Sequence, residues 1–142
     1  MKWGQRSRST VTKQIINFDN LKKPDKKNWY LAAPEHNELT VTPDLIVPIY
    51  NMSLKKLNQQ WNTFVQSKRF TLSYSNKNNE RQYVFRSFFF RFPDLLTVKL
   101  IPIDEKTSSL VMLSFALVGY YDFGVNKRRV NKILTNFENY IK

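Results

Sequence analysis

The sequence predicts an α+β fold, in which an antiparallel sheet of about four to five strands carries two amphipathic helices on one face. Two observations support this prediction. Two segments place apolar side chains at helical spacing, and several segments rich in strand-forming residues are joined by short polar connections. The predicted order of elements is β-α-β-β-β-β-α.

The two helical segments lie on either side of the strand-rich region. The first covers 53–67, where Ser53 is a suitable N-cap and the apolar positions fall on one face. The second covers 126–141, where Val130 begins a stripe at i, i+3, i+4, i+7 and i+11. Because each helix has one apolar stripe, a single sheet face can cover both helices.

Four strands are predicted between the helices, over 69–75, 81–92, 94–103 and 110–118. Short polar connections between them favour hairpins and therefore an antiparallel meander. The preceding segment, 28–50, contains Pro34, Pro43 and Pro48, which forbid a helix and disfavour a central strand. We expect this segment to run extended over the surface, with a short edge strand over 45–50.

The positive charge is concentrated near the amino terminus. The chain has 142 residues, which suits one domain, and a net charge of +12. Residues 1–30 hold eight Lys or Arg against two Asp, which is +6 and half of that total. We divide the chain into a basic irregular segment, 1–27, and an α+β domain, 28–142. The basic segment is either a solvated tail or a contact for nucleic acid or an anionic membrane surface.

The composition excludes several classes of function. The chain has no cysteine, which rules out disulfides, thiolate metal sites and cysteine nucleophiles. Three glycines argue against a phosphate-binding loop. No apolar stretch approaches the roughly 18 residues that span a bilayer, and no apolar core of a secretory signal follows the basic start. The simplest location is the cytoplasm, with peripheral contact at the membrane as a further option.

The most unusual local feature is the charge at the start of the last helix. Lys127, Arg128 and Arg129 follow Asn126, a suitable N-cap, and occupy the first turn. The helix dipole disfavours cations there by about 0.3–1 kcal/mol each. Salt bridges to Asp94 and Asp122, an external anion, or tolerance of a solvated cluster are the three explanations. At about 100° per residue, Arg128 points to solvent, while Lys127 and Arg129 flank the apolar stripe.

The residues offer little support for catalysis. His36 is the only histidine and lies in a polar loop, which is typical of a solvated side chain. Asp94 and Asp122 form a pair only if two strands end on the same side, and the nearby cations oppose a divalent ion there. We predict no catalytic residue, no metal site and no cofactor.

The run from Gly119 to Val130, GYYDFGVNKRRV, together with Phe92-Pro93-Asp94, resembles the bacterial domain of unknown function 1499 family. Members of that family close on a similar G-Y-S-D-F/L-G-V-N-R-R-R-V segment, where this chain has Tyr121 for the serine and Lys127 for the first arginine. The segments 28–34 and 47–50 are also similar, so the resemblance covers 28–141. It implies a shared fold and an envelope-associated role, and it transfers no catalytic residue.

Three functional hypotheses follow. The first is a non-catalytic binding or envelope-associated protein that contacts an anionic small molecule, protein or membrane surface at the start of the last helix. The second is nucleic-acid binding through the basic segment 1–27, and the third is an enzyme acting through Asp94 and Asp122. The candidate binding residues are Asp94, Asp122, Gly124, Asn126, Lys127, Arg128 and Arg129.

Overall fold

A computed structural model describes residues 28–37, 39, 41–75, 79–86, 93–116 and 124–142. The predicted α+β fold is confirmed by a six-stranded sheet and two helices. In chain order the elements are β1 (Trp29–Ala33), β2 (Leu45–Ile46), α1 (Leu54–Ser67), β3 (Thr71–Ser75), β4 (Glu80–Phe85), β5 (Asp94–Pro102), β6 (Ser108–Ala116) and α2 (Val125–Tyr140).

The sheet has the strand order β2-β1-β6-β5-β4-β3. Strands β3 to β6 pair antiparallel with their sequence neighbours, which confirms the predicted meander. β1 pairs antiparallel with β6, and β2 pairs parallel with β1 at the edge of the sheet. The ends of β4 and β6 and the start of β5 therefore lie at one end of the sheet, close to the first turn of α2.

β1 is the strand that the sequence prediction missed. It lies between β2 and β6, so residues 29–33 are interior to the sheet and do not wrap its surface. The prediction failed because it applied the proline density of the whole segment to these five residues. Pro34 directly follows β1, and the other prolines lie further along the chain. The edge strand is also shorter than predicted, since β2 covers Leu45–Ile46 and Tyr50 makes an isolated bridge to Ser108.

Both helices lie within a residue of their predicted bounds. α1 is capped as predicted, because the Ser53 side chain accepts a hydrogen bond from the backbone N–H of Lys56. Of the predicted strand 81–92, the described part agrees with β4, which covers Glu80–Phe85. Residues 87–92 lie outside the part of the chain that the structure describes, so the rest of this prediction is not tested.

The two helices pack on the same sheet face around a cluster of aromatic rings. Trp61 and Phe64 of α1 meet Phe137 of α2, with ring centroids 5.0 Å and 5.2 Å apart. The Trp61 indole N–H also donates a 2.9 Å hydrogen bond to the Tyr83 hydroxyl on β4. This cluster fixes the position of α2, and therefore of its first turn, relative to the sheet.

Two core tyrosines should make the fold sensitive to alkaline pH. Burial raises the pKa of Tyr50 and Tyr83, and Glu138 beside the hydroxyl raises the pKa of Tyr50 further. Tyrosines in the unfolded chain ionise near pH 10, at about their ordinary pKa. The unfolded state therefore loses these protons first, and the free energy of unfolding should fall as the pH rises beyond that point.

Tyr50→Phe should show a shallower alkaline loss of stability than the wild type, measured by urea unfolding between about pH 8 and about pH 11. The exposed Tyr140 provides the matched control, and Tyr140→Phe should follow the wild-type curve. A Tyr50→Phe curve parallel to that of the wild type would contradict this explanation.

Candidate functional site

The first turn of α2 lies over the sheet face at the start of β5 and the end of β6. Asp94 is the first residue of β5, and its cross-strand partner on β6 is Ala116. Ser114 lies two residues before Ala116, so the side chains of Asp94 and Ser114 point to the same face. Asn126 and Arg129 of α2 reach this face from above.

Arg129 is the centre of a largely buried polar network. Its Nη1 donates to Asp94 Oδ2 at 2.9 Å, to Asn126 Oδ1 at 2.9 Å and to Ser114 Oγ at 3.1 Å. The side chains of Arg129 and Asp94 are only 11% and 6% exposed. Arg129 also lies over the Phe85 ring, with Cζ 5.0 Å from the ring centroid. Of the three explanations for the charge at this helix end, an internal salt bridge accounts for Arg129.

Asn126 has a different role from the one predicted. Gly124 is the N-cap, with φ of 76° and no side-chain capping hydrogen bond, so the helix begins before Asn126. The interpretation of Asn126 as the N-cap is therefore wrong. Asn126 is fully buried, accepts from Ser114 Oγ at 2.6 Å and donates to the backbone carbonyl of Asn28 at 3.0 Å. It thus ties α2 to the residue that precedes β1.

The other predicted site residues divide between the surface and the undescribed part of the chain. Arg128 is exposed, as its helical position predicted, and its Nη1 lies 3.1 Å from the point where a Cβ on Gly124 would stand. Lys127 is also exposed and makes no ion pair with any residue that the structure describes. Its position beside the apolar stripe had predicted an internal ion pair. Asp122 lies outside the described ranges, so its proposed salt bridge is not tested.

A cleft of about 620 Å³ opens beside this network. It lies between the end of α1, the residues leading into β3, the end of β4 and one face of α2. Its apolar lining residues are Phe64, Phe70, Phe85, Val125 and Ile133. Its polar lining residues are Lys68, Arg128, Arg129, Lys132 and Asn136.

The described lining of the cleft contains four cations and no acid. Arg129 is paired with Asp94, whereas Lys68 and Lys132 make no ion pair within the described ranges. Neither lysine is among the site residues predicted from the sequence. Lys132 could have been found, because it stands one turn after Arg128 on the same face of α2. Lys68 could not, because only the packing of α1 against α2 brings it to this cleft.

The described residues contain neither a metal-binding cluster nor a membrane-spanning helix. Within the described ranges, no three His, Asp or Glu side chains lie close enough together to hold a metal ion. His36 is exposed. None of the described helices has the length and apolar character that crossing a membrane requires.

Comparison with known proteins identifies the family. No curated protein matches the chain. The model of one protein family matches residues 20–137, which include every element of the sheet and most of α2. The chain therefore belongs to the family described as Protein of unknown function (DUF1499).

Proposed function

We propose that this domain is a non-catalytic binding protein that holds an anionic partner in the cleft beside α2. The observation that carries the proposal is the charge of the cleft, whose described lining has basic side chains and no acidic one. A concave surface lined by charge of one sign concentrates ions of the opposite sign. An oxyanion is the ligand that this charge favours.

The salt bridge between Arg129 and Asp94 neutralises one of the four cations that line the cleft. Asp94 balances Arg129, whereas Lys68 and Lys132 make no ion pair within the described ranges, so these two lysines supply net positive charge to the lining. The amino end of α2 adds the partial positive charge of its first backbone N–H groups on the same side. Arginine and lysine side chains together with helix N–H groups bind carboxylate and phosphate oxygens well.

The other hypotheses stay predictions. Asp94 is buried and bonded to Arg129, which supports a structural role for this carboxylate, but Asp122 lies outside the described residues. Catalysis through the two aspartates is therefore not tested. Nucleic-acid binding through 1–27 depends on residues that are likewise outside the described ranges. The cytoplasmic or membrane-peripheral location stays a prediction as well.

A titration with inorganic phosphate at low salt, followed by amide resonances in NMR, tests the proposal. The resonances that shift should cluster at Val125, Lys132 and Ile133. Reversing two charges in Lys68→Glu/Lys132→Glu should weaken phosphate binding by about tenfold or more.

The control variant, Lys55→Glu/Lys142→Glu, changes the net charge equally at exposed positions outside the cleft lining and should bind phosphate as the wild type does. Equal weakening in both variants would show binding through general surface charge and would refute the site. Steep salt dependence of DNA or RNA binding that survives the cleft variant would favour the nucleic-acid hypothesis instead.

A further inference from the structure

The floor of the cleft is apolar and largely aromatic. Phe64 is 1% exposed and Ile133 is 6% exposed, so both lie deep. Phe70 contacts Phe64 and Phe85, with ring centroids 6.0 Å and 5.1 Å away. The rings of Phe64, Phe70 and Phe85 therefore form one continuous aromatic floor. Such a surface favours a ligand that brings apolar groups out of water.

The rim of the same cleft is basic. Lys68, Arg128 and Lys132 are exposed residues among those that line it. Arg128 and Lys132 stand one helical turn apart on α2, while Lys68 is the C-cap residue that follows α1. The positive charge thus comes from two elements that face each other across the cleft.

Three classes of ligand fit this arrangement unequally. An inorganic anion would bind the cations but leave the aromatic floor in contact with water. A neutral lipid would cover the aromatic floor but leave Lys68 and Lys132, which make no ion pair within the described ranges, without a counter-charge. We infer that the cleft binds a monomeric single-chain amphiphile with a carboxylate or phosphate head, because an aromatic floor and a basic rim line one cavity. This inference rests on the anion-binding function proposed above.

The dimensions of the cleft favour a dissolved molecule over a membrane surface. Its volume of about 620 Å³ lies within the range of about 300–1,000 Å³ that small-ligand pockets occupy. A membrane-docking rim would be expected to expose large apolar side chains. Within the described ranges the exposed large hydrophobic residues are Ile46, Ile49, Leu72, Ile103 and Tyr140, and none of them lines the cleft.

Affinity as a function of tail length tests the inference on the unmodified chain. Calorimetric titrations would use hexanoate, octanoate and decanoate below their micelle-forming concentrations. Each methylene that is fully buried should tighten binding by about fourfold, so decanoate should bind far more tightly than hexanoate. Equal affinity for the three acids would overturn the inference.

Ligands that carry only the apolar tail or only the negative charge complete the test. Decanol and decyltrimethylammonium carry the same tail without the negative charge and should bind at least about tenfold more weakly than decanoate. Acetate and inorganic phosphate should bind most weakly. Binding to vesicles of anionic phospholipid, with none to decanoate, would overturn the assignment to a monomeric ligand.

A space-filling substitution localises the tail. Asn136→Trp fills the cleft without removing a charge and should weaken decanoate binding by about tenfold or more. Thr135→Trp places the same ring on the neighbouring exposed position, outside the lining, and should leave decanoate binding unchanged. Circular dichroism checks that both variants fold. Equal effects of the two substitutions on decanoate binding would refute the assigned position of the tail.

The outcomes separate this inference from the proposed function. If phosphate binds at the cleft and tail length has no effect, anion binding stands and the amphiphile is wrong. If decanol and decanoate bind equally, the cleft is an apolar site and the proposed anion function fails with it.

Discussion

Arg129→Ala is expected to lower the free energy of unfolding by about 3–5 kcal/mol, the effect typical of removing one partner of a buried ion pair. The reason is the position of Asp94, whose side chain is 6% exposed and whose carboxylate accepts the Arg129 hydrogen bond. Without the guanidinium, a buried negative charge would lose its counter-charge. Asn126 and Ser114 would lose a donor at the same time. Urea unfolding at neutral pH measures the change.

Lys127→Ala is the matched control, because it removes a neighbouring cation that is exposed and should change stability by no more than about 0.5 kcal/mol. The double variant Asp94→Leu/Arg129→Met replaces the pair by apolar side chains and should recover part of the loss. If Arg129→Ala and Lys127→Ala were equally stable, the salt bridge would not hold the helix to the sheet.

Trp61→Ala is expected to cost about 3–5 kcal/mol of unfolding free energy, as is typical of removing a large buried aromatic side chain. The indole is fully buried, and it extends from α1 into contact with β4 and α2. It contacts Phe64, Tyr83 and Phe137, and it donates the hydrogen bond to the Tyr83 hydroxyl. Its loss would leave a cavity at the point where both helices meet the sheet.

Two further substitutions calibrate this effect by the same urea unfolding. Trp61→Phe keeps a ring in the core and should cost less than Trp61→Ala. Trp29→Ala removes a half-buried tryptophan from the opposite face of the sheet and should also cost less. A larger loss of unfolding free energy for Trp29→Ala than for Trp61→Ala would contradict the placement of the main core on the sheet face that the helices cover.

The helices and the meander could be predicted because their signals are local. The stripe that begins at Val130 and the cap at Ser53 are both contained in one stretch of chain. β1 was missed because the prediction weighed the prolines of the whole segment, and because its partner β6 begins seventy-five residues after β1 ends (33 to 108). A strand of five residues that pairs with a neighbour on each edge is too short to show a clear periodic pattern of its own.

The charge at the start of α2 could be recognised from the sequence, but its compensation could not. The helix dipole made three cations unfavourable, and Asp94 was one of two candidate partners. Choosing between them required the register of β5 against β6, which brings Asp94 and Ser114 onto one face. The role of Asn126 depended on where the helix begins, and Gly124 places that point earlier than predicted.

The cleft could not be predicted from the sequence because its lining residues come from different elements. Lys68 and Phe70 follow α1, Phe85 ends β4, and Lys132 belongs to α2. None of these positions carries a motif, and only the tertiary packing brings them together. The unusual charge thus drew attention to the helix end beside the cleft and to Arg128 and Arg129, but not to Lys68, Lys132 or the apolar lining residues.

The central claim is that the cations at this helix end divide into a structural one, Arg129, and ligand-binding ones at the rim of the cleft. A crystal structure with decanoate bound tests this division directly. We expect the carboxylate to contact Lys68, Arg128 or Lys132, the tail to lie against Phe70, and Arg129 to keep its bond to Asp94. A carboxylate bound outside the cleft, or an Arg129 that leaves Asp94 for the ligand, would contradict the claim.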